Sequence, residues 1–363
     1  MLVHLLVLNY NGRRLLAECL PSVVDAARAS RHPCRVAVID NDSGDDSVAW
    51  LASRFPRVEV IRRPNRGLSS FNDVVPRLEG PVALLLNNDI KLDRGCVDPL
   101  IEPLLDGQTD GRSPCFMTAP LCWLFDGATY EGFKTAVRWR WGLVQATARF
   151  PGCEAAIYRP GLTASAGAAL AVDCRKFAAL GGFDPLFLPG RLEDLDFAFR
   201  GYLAGCHARY VPEAVAYHRG AATFDRVFGE SGCEQLALRN TLLFQWKNLR
   251  HPAHRARGLA GLSLRLALDV ARAPGAPPAR RWAFTRALLA ALARWRAVPR
   301  SRDRARGSLR REREFFRRFS PSRLLAAETA GGRPRGLPRP RSSSPPGEAN
   351  RAPVRSIPVE VSR

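Results

Sequence analysis

An apolar run, Val82–Leu86, stops at Asn87-Asn88-Asp89. An acid at the end of such a run suits a metal-bound diphosphate, because hard divalent cations take carboxylate oxygen. Far downstream, Gly181-Gly182-Phe183-Asp184-Pro185-Leu186-Phe187 is followed by Glu193-Asp194-Leu195-Asp196. An acid that enters a helix behind a glycine-rich turn suits a general base. Together the two acids imply nucleotide-sugar chemistry.

Those acids must be positioned by a scaffold, and the first hundred residues predict one. Val3–Leu8 is a short apolar run ending in the turn Asn9-Tyr10-Asn11-Gly12, as in a strand buried on both faces. Arg14–Ala29 carries apolar residues near helical spacing. Arg35–Ile39, Val58–Arg62 and Val82–Leu86 read as further strands, and Ser47–Phe55 and Ser69–Leu78 as helices between them. Strand–helix alternation at this pitch predicts an α/β fold with a doubly wound, mostly parallel sheet. Asn9, Asp40 and Asp89 then fall at the carboxyl ends of strands, where such sheets bind ligands. Residues 106–162 read as strands and loops on the substrate side. Leu170–Val172 resumes a strand, Leu192–Leu203 is a helix, and Tyr210–Val211 opens another strand.

The chain has 363 residues and a net charge of +21. Residues 1–250 hold 29 basic and 27 acidic side chains, a net of +2, whereas residues 251–363 hold 26 and 7, a net of +19. Basicity therefore belongs to the C-terminal third, and a basic segment seeks phosphate or an anionic surface. Only four of the 55 basic residues are lysine, a bias that a GC-rich genome would give by itself, so functional and genomic origins of the arginine excess both stay open. Helices are expected over Cys233–Leu249, Leu259–Ala271 and Arg280–Val298. In the last of these Trp282, Leu288, Leu289, Leu292 and Trp295 alternate with arginines, an interfacial pattern. From Gly331 the Pro/Arg/Ser-rich composition predicts disorder. The organisation expected is a catalytic domain over 1–230, split into a nucleotide-binding half (1–105) and an acceptor half (106–230). A basic helical extension over 231–330 and a tail over 331–363 follow. Nine cysteines without CxxC spacing read as free thiols in a reducing cytosol. No stretch of 18 uncharged apolar residues predicts a membrane span, and the N-terminus reads as a buried strand rather than a signal peptide.

Six segments, in order, resemble the family 2 glycosyltransferases of GT-A fold, in particular their bacterial rhamnosyltransferase-like branch. They are Leu6-Val7-Leu8-Asn9-Tyr10-Asn11-Gly12, Val38-Ile39-Asp40-Asn41-Asp42-Ser43, Asn65-Arg66-Gly67-Leu68 with Asn72, Leu85-Leu86-Asn87-Asn88-Asp89, Gly181-Gly182-Phe183-Asp184 with Glu193-Asp194-Leu195-Asp196, and Tyr217-His218. The resemblance covers residues 1–250, and the segment Arg239-Asn240 to Trp246-Lys247-Asn248 resembles the family's closing helices.

The resemblance implies roles. Asp40 would accept from a pyrimidine N3–H, its bland alternative being an Asx-turn acid shared with Ser43. Asn9, Tyr10, Asn41, Ser43, Asn65, Gly67, Asn72, Asn87 and Asn88 would complete the nucleotide-sugar site. Asp89 and His218 would hold Mg2+ or Mn2+ against the diphosphate. Asn87 stands where the family's DxD motif has its first acid, which weakens the expected metal ligation. Asp194 would be the base of an inverting transfer and Glu193 would orient the acceptor. Gly182, Phe183 and Asp184 would line the sugar and acceptor pocket. Asp196 and Arg200, at i,i+4, read as a helix-surface ion pair. The implied donor is a UDP- or dTDP-sugar, with rhamnose or another hexose transferred to a glycan or lipid-linked acceptor in bacterial cell-envelope synthesis. Attachment of residues 251–330 to an anionic membrane surface would place the protein on the inner face of the cytoplasmic membrane.

Other classes are weighed against this. A polyprenyl-phosphate glycosyltransferase would share the fold but bring membrane helices. A non-catalytic relative would have no use for acids at 89 and 194. A dinucleotide oxidoreductase needs GxGxxG after the first strand, which Asn9-Tyr10-Asn11-Gly12 does not supply. A nucleic-acid binder is disfavoured by the near-neutral first 250 residues.

Overall fold

The Val/Leu/Ile-rich runs form strands because helices and neighbouring strands cover both of their faces. The computed structural model describes residues 1–106, 113–220, 222–275, 281–297 and 307–329. The tail expected over 331–363 lies outside the described residues.

The first half alternates β1 (Val3–Asn9), α1 (Arg13–Ala29), β2 (Cys34–Asp40), α2 (Ser47–Arg54), β3 (Glu59–Arg62) and β4 (Val82–Asn87). Then come β5 (Ile90–Leu92), α3 (Val97–Asp106), β6 (Cys115–Leu124), β7 (Tyr130–Gly132) and the hairpin β8 (Ala136–Arg140)–β9 (Leu143–Thr147). After β10 (Gly161–Leu162) come β11 (Ala169–Asp173), α4 (Cys174–Ala179), α5 (Glu193–Leu203) and β12 (His207–His218). Five helices close the chain: α6 (Ala222–Asn248), α7 (Pro252–Arg272), α8 (Ala283–Arg294), α9 (Gly307–Arg318) and α10 (Pro321–Thr329).

One large sheet runs in the order β10-β12-β6-β11-β4-β1-β2-β3, with β5 on β12 and β7 on β6. β4, β1, β2 and β3 are mutually parallel, as are β6 and β12. β11 lies antiparallel between β4 and β6. Because β11 reverses direction once on each side, β6 and β12 point the same way as β4. The ends of β1, β2, β4 and β12 therefore share one edge of the sheet, and that edge collects Asn9, Asp40, Asn87 and His218.

The helix expected over Ser69–Leu78 is instead two 3-10 turns, Gly67–Asp73 and Val75–Arg77. Pro76, which has no N–H to donate to an α-helical ladder, sits in the first turn of the second.

The C-terminal helices are joined to the rest by a second core. Leu186, Phe187 and Phe199 pack there with Leu243, Phe284, Phe315 and Phe319. The rings of Phe199 and Phe315 meet edge-on at 4.9 Å. Below it sits a charged hub. Asp196 is fully buried. Its Oδ1 accepts from Lys247 Nζ at 2.6 Å and Asn248 Nδ2 at 2.7 Å, and its Oδ2 accepts from Arg200 Nε at 2.8 Å. The Asp196–Arg200 pair expected on a helix surface is thus interior. Helical spacing gives the i,i+4 contact, but α6 covers that face of α5.

Candidate active site

Asn9 closes β1 with no exposed surface, and its amide is shared among three neighbours. Its Nδ2 donates to Asp40 Oδ1 at 3.3 Å and to Ser43 Oγ at 3.2 Å, and its Oδ1 accepts from Asn88 Nδ2 at 2.8 Å. Gly12 is required for this contact, because a Cβ there would lie 2.0 Å from Asn88 Nδ2. Asp40 Oδ2 accepts from Ser43 N at 3.1 Å, so the Asx-turn geometry weighed above is present. Asn41 Nδ2 donates to Gly67 O at 3.2 Å, and Asn65 Oδ1 accepts from Gly67 N at 3.2 Å. Tyr10 stands 38% exposed beside this network. Asn9, Asn41, Ser43, Asn65, Gly67 and Asn88 are therefore assembled around Asp40 at one strand edge.

Asp89 is buried just past β4. Its Oδ2 lies 3.4 Å from His218 Nε2, at the end of β12. The other ring nitrogen, Nδ1, lies 3.3 Å from Glu131 Oε1, and Glu131 pairs with Arg149 at 2.7 Å. Burial by itself would lower the His218 pKa. Hydrogen bonds and charge from Asp89 and Glu131 outweigh it and raise the imidazole to about 9. Glu131 escaped the sequence reading because it sits on the three-residue strand β7, with no motif around it.

Asp89 Oδ1 is buried without a hydrogen-bond partner. Such an atom fits a cation, since a buried lone carboxylate oxygen is costly unless something positive reaches it. Among the described residues no group of three or more His, Cys, Asp or Glu has the arrangement of a complete metal site.

Asp194 begins α5. Its Oδ2 accepts from Ser165 Oγ and from Gly167 N, the latter at 3.1 Å. The next residue, Ala168, accepts through its carbonyl from Asn87 N at 3.0 Å. Two consecutive residues of one loop thus tie Asp194 to the Asn87-Asn88-Asp89 segment. Gly167 has φ +65, and a Cβ on it would lie 2.1 Å from the Phe133 ring. Glu193, next to Asp194, is 4% exposed. Burial, helped by the charges of Asp194 and Asp196, pushes its pKa up to about 8, so it is mostly protonated at neutral pH.

The turn into α5 is strained. Arg191 and Leu192 take φ +81 and +71, a region side chains avoid. Asn240 Nδ2 on α6 holds it, lying 2.7 Å from the carbonyls of Phe187 and Gly190 and 2.9 Å from that of Arg191. Arg239 adds a bond to Leu188 O at 2.5 Å. Gly67 meets the same turn from the nucleotide side, because a Cβ there would lie 3.1 Å from Pro189 O.

Four expected contact residues are placed differently. Phe183 has no exposed surface and packs with Phe71, Phe177 and Phe197, so it is a core ring rather than a pocket wall. Asn72 spends its amide on the Phe183 backbone, donating to Phe183 O at 2.7 Å and accepting from Phe183 N at 2.9 Å. Gly182 leaves room for that amide: a Cβ would sit 2.1 Å from Asn72 Oδ1. Asp184 caps the following turn by accepting from Leu186 N at 2.8 Å, and pairs with Lys247 at 2.6 Å. The glycine-rich motif therefore helps to position the α5 entrance. In each case the sequence supplied polarity or shape, and the partner that absorbs it is far away in the chain.

The Glycosyl transferase family 2 model matches residues 5–158. This family 2 segment contains the Asn9, Asp40 and Asp89 strand ends. The putative polypeptide N-acetylgalactosaminyltransferase 10 of Drosophila melanogaster is 24% identical over 199 residues, covering 51% of this chain and 31% of its own length. The chain thus spans about a third of that relative. The crystal structure of S. aureus TarS 1-349 in complex with UDP-GlcNAc superposes with a TM-score of 0.50 at 13% identity, covering 89% of this chain and 91% of that one. GalNAc-T7 with UDP, GalNAc and Mn2+ gives a TM-score of 0.49 at 18% identity, over 68% of this chain and 48% of that one. Residues 5–158 thus match the family 2 glycosyltransferase model, and the chain shares the fold of the TarS 1-349 structure.

Proposed function

We propose that the chain is an inverting glycosyltransferase that moves a hexose, rhamnose being the preferred candidate, from a UDP- or dTDP-sugar to a hydroxyl of a glycan or lipid-linked acceptor. One observation carries this reading. The loop 165–168 bonds to Asp194 through Gly167 and to the Asp89 segment through Ala168, so a base candidate and a diphosphate-side acid share one edge.

In this reading Tyr10, Asp40 and Ser43 bind the base and ribose. Asn9, buried with its amide fully used, holds Asp40, Ser43 and Asn88 in place rather than touching the nucleotide. Asn41, Asn65 and Gly67 shape that wall, with Asn87 and Asn88 beside the sugar. Asp89 and His218 face the diphosphate and would hold the divalent cation. When bound, that cation supplies Lewis-acid neutralisation of the leaving diphosphate. Against the lowering effect of burial, Asp89 and Glu131 raise the imidazole to about 9, so a cation held by His218 would have to displace its proton. Asp194 Oδ1 makes no hydrogen bond among the described residues and is placed to take the acceptor hydroxyl's proton as the new bond forms. Glu193, mostly protonated, keeps a second negative charge away from Asp194.

Release of nucleoside diphosphate from a panel of UDP-, dTDP- and GDP-sugars tests the proposal, with and without Mn2+ and acceptor glycans. Wild type is expected to turn over one donor. Chelation or Asp89→Asn should lower the rate at least about 100-fold, since a metal contributes several kcal/mol to the transition state. Equal rates in wild type and Asp89→Asn would defeat the assignment of Asp89.

The acceptor side is proposed to be a membrane surface. No described helix is long and apolar enough to cross a membrane. Yet Leu259, Leu264 and Val270 of α7, with Leu289 and Leu292 of α8 and the flanking Trp282 and Trp295, are all more than 36% exposed. Arginines are interspersed among them, the composition of an interfacial surface. A groove of about 340 Å3 between α6, α7 and α8 includes Trp246, Leu259, Leu292 and Trp295. Cosedimentation with phosphatidylglycerol vesicles at low salt, weakened by Leu289→Glu with Leu292→Glu, is the expected result. Failure of the wild-type protein to sediment would remove this part of the proposal.

A further inference from the structure

The edge of the sheet opposite the candidate active site carries another cleft, of about 530 Å3. That volume is in the range of small-molecule sites. His207 starts β12 and His218 ends it, which separates the cleft from Asp89 by about 35 Å at the usual strand rise. The walls come from the starts of β6 and β12 and from α9.

Among the described residues the cleft wall carries more positive than negative charge. Arg209 comes from β12, and Arg311 and Arg318 from α9. Among the described residues Glu314 is the one acid in the wall, and it pairs with Arg318 at 2.6 Å. Arg311 donates to Leu203 O at 2.7 Å, and its guanidinium lies over Gly205, where a Cβ would be 3.4 Å away. Gly205, at φ +90, thus gives the guanidinium a flat floor. Arg209 has no ion pair or side-chain hydrogen bond among the described residues. The His207 pKa is lowered, first by burial and then by the charge of Arg209, with Arg318 and Lys176 adding to it. Arg209 and Arg311 thus face one concavity without an ion pair among the described residues, beside the paired Arg318, and their field favours an anion entering it.

We propose that this cleft binds a phosphate-bearing ligand, either a soluble phosphate ester or diphosphate or the headgroup of a phospholipid, through Arg209, Arg311 and Arg318. Guanidinium forks pair with phosphate oxygens two at a time, and a multiply charged group balances several arginines where a single carboxylate would not. The site does not depend on the transferase reading.

Cys206, half-buried in the cleft wall, reports occupancy locally. Its alkylation by N-ethylmaleimide would be followed by peptide mass spectrometry on the full chain at low salt. Cys34, half-buried at the start of β2, is the reference. One arm adds sodium pyrophosphate; the other adds phosphatidylcholine vesicles with or without phosphatidic acid. At ten times the dissociation constant, occupancy slows Cys206 about tenfold and leaves Cys34 unchanged. Protection by pyrophosphate identifies a soluble phosphate, and protection only by phosphatidic acid vesicles identifies a headgroup. Arg209→Glu, whose side chain makes no internal bond, should abolish protection, and Arg311→Ala should weaken it. No protection of Cys206 in either arm, or full protection in Arg209→Glu, would overturn the proposal.

Discussion

Asp194→Asn is expected to lower kcat for sugar transfer by about 10²- to 10⁴-fold, with the donor KM little changed. The size is that of losing a general base, about 3–5 kcal/mol of barrier. Asparagine still accepts through its Oδ from Ser165 and Gly167, which hold the wild-type side chain. It cannot take the acceptor's proton. Donor-induced thermal stabilisation should therefore survive while turnover is lost. A variant that keeps more than a tenth of wild-type kcat would move the base elsewhere, with Glu193 the nearest carboxyl. A variant that loses donor binding as well would make Asp194 a structural residue of the loop 165–168.

Asp196→Asn tests the hub beneath the site and is expected to cost about 3–5 kcal/mol of stability at pH 7, the usual effect of breaking a buried charged pair. Lys247 and Arg200 would keep their charges in the interior with half their compensation gone. Burial opposes ionisation of Asp196, but Arg200, Lys247 and Asn248 outweigh it and hold the carboxyl below its ordinary 3.8. The sign of the pH effect follows. The folded state binds fewer protons than the unfolded state between the depressed value and 3.8, so wild type loses this contribution as pH falls through that window. The gap between wild type and Asp196→Asn in urea denaturation should be full at pH 7 and narrow below about pH 4. A gap that stayed constant down to pH 2 would mean that the carboxylate's charge is not what the hub uses.

Much of the nucleotide side was legible in the chain. The runs Val3–Leu8, Arg35–Ile39 and Val82–Leu86 are apolar, short and closed by polar turns, so local pattern alone gives strands and puts Asn9, Asp40 and Asp89 at their ends. Those residues lie where their own strands stop, so the pattern of each strand alone gives their position along it. The glycine-rich motif was harder to read. Gly182, Phe183 and Asp184 look like a pocket in one dimension because glycine, aromatic ring and acid are what a sugar site uses. In three dimensions Asn72, more than a hundred positions earlier, fills the space at Gly182 and binds the Phe183 backbone. Lys247, over sixty positions later, takes the charge of Asp184.

The sequence by itself determined the strand–helix order, the identity of the acids and the segregation of basic charge to residues 251–363, because each depends on composition or on neighbours within a few residues. Only the tertiary structure decided what each polar group is free to do. The single reversal at β11 brings β12 parallel to β4 and so sets His218 beside Asp89, with Glu131 on the other side of the ring. Packing of α6 over the α5 entrance buries Asp196 and fixes the strained turn through Asn240. A carboxylate's role depends on which donors reach it first, and those donors are chosen by contacts between segments far apart in the chain.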